Sequence, residues 1–412
     1  MSITSYPKYT YIAEGDGNVN FYGTALDAFG RIRMSEPYTL FDSQNRYIKD
    51  PQFDEALTGS GTTTFVANEG VVDMDVTTAS GDKVVRQTKR RFPYQPGKSL
   101  LVLATFVMDE AQTELRQRVG YFDDNNGVFL QLDDDELSFV LRSYVTGSAS
   151  DTRKVTKSNW NVDKFDGTGP SGLTLDITKA QIMFFDFEWL GVGSVRCGFV
   201  INGKLYLAHV YHNANLISTT YMTTAILPVR YEIEAKAALT SAAKLKQICS
   251  TVISEGGYQQ KSKLHWARMT TDTTLSTSFE PLLSIRLNAS RLGAVVIPAR
   301  FVVLPQTSPA DYEVALIKNP TLTSASYTTG SFTNVDFDVA ATALSGGTII
   351  DVVYVSSSNQ SGGSLEQVVD YNFDLQLGVT IGGTSDVYTL AARGLSGTPD
   401  MIGALAFWDL TD

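Results

Sequence analysis

Cysteine and histidine are scarce: the 412 residues include two cysteines, Cys197 and Cys249, and three histidines. Two thiols can build neither a disulfide framework nor a four-thiolate zinc site. Both lie in apolar, strand-like runs, Val195 to Ile201 and Leu245 to Ile253, where a small buried thiol is the ordinary occupant. So few histidines leave little material for imidazole catalysis. Positive charge is also short, since 33 Lys and Arg face 44 Asp and Glu for a net charge of −11. The deficit is concentrated at the end: the 122 residues from Arg291 onward hold 4 basic and 12 acidic side chains. Phosphate backbones need clustered Lys and Arg, so nucleic acid is excluded as a direct partner. No apolar run approaches the ~18 residues of a transmembrane helix, so no membrane insertion is expected. The opening Met1-Ser2-Ile3-Thr4-Ser5-Tyr6-Pro7 has neither a basic start nor an apolar stretch, and no secretory leader is expected.

What is present is a composition that folds. Hydrophobic residues make up 43%, which excludes a disordered chain, and the length suits two or three domains. Residues 1–58 alternate Tyr, Asn, Gly, Asp and Arg without sustained apolar periodicity, and read as an extended N-terminal arm lying across its own or a neighbouring surface. From about Gly59 the pattern turns to strands. Val71 to Val76, Leu100 to Met108, Arg118 to Phe122, Val128 to Leu132 and Leu137 to Tyr144 are short, apolar or β-branched, with turn residues between them. The last three form an antiparallel meander. After a polar loop from Thr146 to Gly172, Gln181 to Leu190, Ser194 to Ile201 and Lys204 to His212 resume the pattern. The final pair is joined by Asn202-Gly203, which suits a type I′ hairpin. Arg230 to Glu234 and Leu245 to Ser254 complete the unit, while Ala-rich 235–243 is compatible with a helical turn.

Roughly ten strands in ~220 residues make a two-sheet sandwich over 59–278. Residues 279–412 read as a second, smaller β-sandwich, with its clearest strands at Phe301 to Leu304, Tyr312 to Ile317, Thr348 to Val355 and Val387 to Ala391. The fold class is therefore all-β. An arm is followed by an antiparallel sandwich and a second sandwich.

Several strings resemble one family of tailed-bacteriophage virion structural proteins. They are Ala28-Phe29-Gly30-Arg31-Ile32-Arg33-Met34-Ser35-Glu36-Pro37 and Ser80-Gly81-Asp82-Lys83-Val84-Val85-Arg86-Gln87. Phe187-Glu188-Trp189-Leu190-Gly191-Val192-Gly193, Ile253 to Tyr258, Ala343 to Thr348 and Phe373 to Gly378 are similar to the same family. The resemblance spans nearly the whole chain. It implies a part of the virion, assembled in the host cytoplasm, and carries over no catalytic residue and no cofactor. By strand order, the middle unit also resembles the concanavalin-like jelly roll of lectins.

Together these resemblances imply a non-enzymatic appendage, of tail, baseplate or neck-fibre type. The arm would bind other virion proteins through Phe29, Arg31, Arg33, Phe41, Arg46 and Tyr47, because aromatic and Arg side chains make strong anchors. A homo-oligomer is expected, with contact to host-surface glycan through the lectin-like unit. Removing residues 1–50 is expected to leave folded sandwiches that no longer join particles. A capsid decoration protein is the alternative placement.

A different class of reading is a jelly-roll glycoside hydrolase using Asp186 and Glu188, which alternate on one strand and could flank a glycosidic bond. Against it, jelly-roll glycosidases begin this signature with Glu and carry a third acid, where this chain has Leu190. The bland alternative is two acids on a solvent face, paired with Arg196 or Arg142. Asp123 to Asn126 and Asp133 to Glu136 offer oxygen ligands, but neither follows the alternating calcium loop, and both read as hairpin turns. His209 and His212 would point to opposite faces of a strand, so no metal is expected there.

Overall fold

The computed structural model describes residues 35–259, 261–330, 334–358, 365–368 and 373–411. Among them there is no α-helix, only two short 3₁₀ turns. In chain order, the first fifteen strands are β1 (Tyr38–Gln44), β2 (Phe53–Thr58), β3 (Thr62–Val66), β4 (Val71–Val76) and β5 (Lys83–Thr88). Then come β6 (Leu100–Val107), β7 (Leu115–Phe122), β8 (Gly127–Asp133), β9 (Glu136–Ser143) and β10 (Ser150–Thr156). The last five are β11 (Gln181–Phe187), β12 (Val195–Ile201), β13 (Lys204–Tyr211), β14 (Val229–Ala235) and β15 (Ala243–Ser254).

They form two antiparallel sheets. One runs β13-β12-β11-β6-β15-β4-β3, with β1 also on β15; the other runs β10-β9-β8-β7-β14-β5-β2. Alternation puts Leu100, Val102, Met183, Phe185 and Phe199 of the first sheet against Val119, Leu130, Phe139 and Tyr231 of the second in one core. The expected meander is β7-β8-β9, and Asn202 and Gly203 both take positive φ, 51° and 75°, in the tight turn between β12 and β13. Gly198 of β12 leaves room on the sheet's outer face for the Phe184 ring, which a Cβ would meet at 2.7 Å.

The sandwich begins earlier than expected. β1 and β2 lie within residues 1–58 and are integral: β1 pairs with the second half of β15, and β2 pairs with β5 along its length. Leu40, Phe41 and Phe53 belong to the core. A bulge between Thr39 and Phe41 sends two consecutive apolar residues inward and so hides the period-two signal. Residues 236–242 are bends and irregular chain, with no helical turn.

The second unit also starts ahead of Phe279. Lys263–Arg268 and Thr273–Thr274 pair with Asp400–Asp409, in a five-stranded sheet with Val296–Pro305 and Leu365–Val368. A six-stranded sheet holds Glu280–Leu287, Ala310–Lys318, Thr348–Ser357 and Val387–Gly394. Leu283, Phe301, Tyr312, Leu390 and Leu405 fill the core between them.

The two units meet over a packed junction. Val295, Ile297 and Phe373 join the core of the first sandwich. Arg90 donates to the Phe373 carbonyl at 2.7 Å and pairs with Asp374 at 3.2 Å. The amide of Val379 donates to the Lys89 carbonyl at 2.7 Å, and that of Ile381 to Asp54 Oδ2 at 2.7 Å.

Candidate functional site

The outer face of the seven-stranded sheet is closed by its own side chains. Phe122, Phe129 and Val140 point away from the core yet are fully buried. Arg118 and Arg142 lie over the Phe129 ring at 5.3 and 5.1 Å, and Arg230 lies over Phe122 at 5.4 Å. Glu232 sits between these cations, 2.6 Å from Arg230 and 3.3 Å from Arg118. Burial would raise its carboxyl, but Arg230, Lys83 and Arg118 outweigh that and hold it down at about 2. A face filled in this way offers no opening to a ligand.

An opening lies at the end of this sheet, where three loops are fastened to each other. The Asn126 side chain accepts the amides of Tyr144 at 3.2 Å and Thr223 at 3.0 Å, and donates to the Thr223 hydroxyl at 2.8 Å. It thereby ties the β7–β8 turn to the β9–β10 hairpin and to the connection from β13 to β14. Between the last two runs a cleft of about 170 Å³. Six of its lining residues carry aliphatic hydroxyls: Ser143, Thr146, Ser150 and Thr152 from the hairpin, Thr219 and Thr220 from the connection. Ile217 and Tyr221 supply apolar surface, and Tyr221 is pinned by its hydroxyl to the Glu188 carbonyl at 3.2 Å.

Arg153 of β10 completes the wall. Its guanidinium stacks over the Tyr211 ring at 5.4 Å and donates to Asn213 Oδ1 at 2.5 Å and the His212 carbonyl at 3.4 Å. A small concave site with apolar surface and a few fixed polar groups is the general form of a small-molecule site. Hydroxyls that both donate and accept suit a partner made of hydroxyls.

Asp186 and Glu188 lie elsewhere. Asp186 is on the outer face of β11 and pairs with Arg196 across the β11–β12 ladder at 2.7 Å, while Glu188 follows the strand and is exposed. Burial raises the Asp186 carboxyl, with Glu255 and Glu188 adding to the rise and Arg196 opposing it. Asp123 accepts the amides of Asn125 and Asn126 at 2.9 Å each and pairs with Arg91, and Asp133 and Asp134 pair with Lys236. His209 is buried on β13, with burial pushing it down to about 4. Cys197 and Cys249 are both free thiols, the first buried and the second half-buried.

Of the expected anchoring residues, Phe29, Arg31 and Arg33 lie outside the described residues. Phe41 is only 2% exposed, packed on Phe53 and Phe92 beneath Arg90, so it belongs to the core and cannot serve as an anchor. Arg46 and Tyr47 are exposed side by side between β1 and β2, Tyr47 at 90%. The cleft was not expected from the sequence. Its one trace there is the Ser/Thr-rich composition of residues 146–172, which the sequence presents as a loop and the structure partly folds into β10.

No family model matches the chain, and no curated protein matches it either. Solved structures do. The chain is similar to the carbohydrate recognition domain of Emp47p at 10% identity, over 57% of this chain and all of that domain, with a TM-score of 0.32. A legume lectin-like domain from Entamoeba histolytica matches at 10% identity, over 51% of this chain and 95% of its own, with a TM-score of 0.30. A protein of unknown function from Shewanella oneidensis MR-1 matches at 11% identity, over 58% of this chain and 93% of its own, with a TM-score of 0.35. So few shared residues carry no residue's role across.

Proposed function

We propose that this chain is a non-enzymatic structural protein of a tailed-phage particle, an appendage that meets host-surface glycan through its first sandwich. The observation that carries the glycan contact is the hydroxyl-lined cleft beside Arg153 and Tyr221, held open on a rigid sheet end by Asn126. Loops displayed on a stiff sandwich are the usual place for recognition. The virion role rests on the family resemblance spread along the chain. Attachment is assigned to residues 1–34 together with exposed Arg46 and Tyr47. The particle is taken to hold the chain as a homo-oligomer.

Copy number in purified particles, measured by quantitative mass spectrometry against the major shell protein, tests the placement. A small multiple of the tail symmetry is expected. Parity with the shell protein would make the chain a capsid decoration, and absence would refute the virion role. The anchoring test removes residues 1–34 and not 1–50, because β1 begins at Tyr38 and belongs to the first sheet. Truncated chains should fold and fail to join particles.

The hydrolase reading has one observation in its favour, the burial-raised carboxyl of Asp186. Glu188→Gln separates the two: a hydrolase loses turnover, whereas particle assembly and glycan contact are unaffected in a structural protein.

A further inference from the structure

We infer that the cleft takes a sugar bearing a carboxylate, such as a uronic acid, with Arg153 receiving the carboxylate. The inference deepens the glycan reading and rests on it. The distinguishing feature is how the arginines around this end of the sheet are neutralised. Arg142 holds Asp151 through two bonds of 2.8 Å, and Arg91 holds Asp123 at 2.8 Å. Arg230 is paired with Glu232 and Asp124, and Arg118 with Glu232. Arg153 differs, because its hydrogen-bond partners are a carboxamide and a peptide carbonyl, both neutral. Among the described residues no carboxylate forms an ion pair with it, and no carboxylate lines the cleft. A half-buried arginine whose hydrogen-bond partners are all neutral, in a chain of net charge −11, is the exception among the arginines at this end of the sheet.

The geometry suits a carboxylate. A guanidinium carries five N–H groups in a planar fork, of which Arg153 commits two. The Tyr211 ring below and Asn213 beside it fix the plane of the fork, so little ordering remains to be done on binding. A carboxylate matches that fork with two parallel bonds. The hydroxyls of the hairpin and of Thr219 and Thr220 stand around the same space to meet the ring hydroxyls of the sugar. A neutral sugar uses those hydroxyls alone and leaves the cation unanswered.

The test is calorimetric titration of the full chain with methyl β-glucuronide and with methyl β-glucoside, which differ in the carboxylate. The glucuronide should bind at least tenfold more tightly, and added salt should weaken it while leaving the glucoside unchanged. Arg153→Gln should bring the glucuronide down to the glucoside's affinity. Because Arg153 also steadies Asn213 and His212, a second variant leaves it in place: Thr146→Trp, on the exposed hairpin turn, obstructs the cleft and should abolish binding of both sugars. Equal affinities for the two sugars in the native chain would overturn the carboxylate inference and leave glycan contact standing. Glucuronide binding that survives Thr146→Trp would overturn the location. Failure of the native chain to bind either sugar would overturn the glycan reading itself.

Discussion

Glu232 is the anion on which the outer face of the seven-stranded sheet depends, and Glu232→Gln removes its charge with little change of shape. The side chain is almost wholly buried, 3.2 Å from Lys83, 3.3 Å from Arg118 and 2.6 Å from Arg230. Its carboxyl is held at about 2 against an ordinary 4.5. A depression of that size corresponds to about 3 kcal/mol of stability at neutral pH. Removing one member of a buried ion pair gives a similar figure, about 3–5 kcal/mol, because the partners stay buried without it. Arg230 keeps Asp124 and Arg118 keeps Gln131, so the lower end is expected. At ~2–4 °C per kcal/mol for a unit of this size, Tm should fall by roughly 6–12 °C. Thermal and urea unfolding followed by tryptophan fluorescence measures it, since Trp160 lies in this core. The sign also fixes the pH behaviour: the contribution is complete above pH 4.5 and disappears as pH falls toward 2. The variant should therefore lose less stability than the native chain in that window. A loss below about 1 kcal/mol, or an unchanged acid profile, would refute the reasoning.

Three further outcomes are expected. His209 is buried and lowered to about 4, chiefly by burial and further by His212 and Arg153; its contribution is complete above pH 6.5 and lost on the way down to 4, so His209→Gln should flatten the stability profile across that range. Asn126→Ala strips partners from two amides and one hydroxyl, and should cost about 2 kcal/mol while raising hydrogen exchange at Tyr144 and Thr223 together. Arg90→Ala removes the cation that holds Phe373 and Asp374, so limited proteolysis should cut faster near residues 373–381 with both units otherwise intact.

The strands that alternate cleanly were legible. Leu100–Val107 buries every second residue, and the β7–β9 meander with the Asn202-Gly203 turn follows from period and turn chemistry. β1 was not legible, because its bulge places Leu40 and Phe41 inward in succession and the inward Ser43 is satisfied by Asp50 at 2.5 Å. β2 was hidden by an ion pair: Glu55 bonds Arg86, which points into the sandwich and reaches Gln247 of the opposite sheet. Polar letters at core positions conceal a strand when their partners lie far away in the chain. The cleft was invisible for a related reason. Its walls come from residues 143–153 and 217–221, and no local period links a hairpin to a loop some seventy residues on.

The junction has a mechanical consequence. A load applied to the C-terminal sandwich passes through Val295, Ile297 and Phe373 directly into the core of the first. The backbone bond from Val379 to Lys89 and the bond from Ile381 to Asp54 resist twisting about that contact. Force therefore reaches the cleft-bearing end through packed side chains as well as through covalent chain. Two sandwiches joined in this way would act as a lever, so a tug on one unit would be felt at the other as a change of direction.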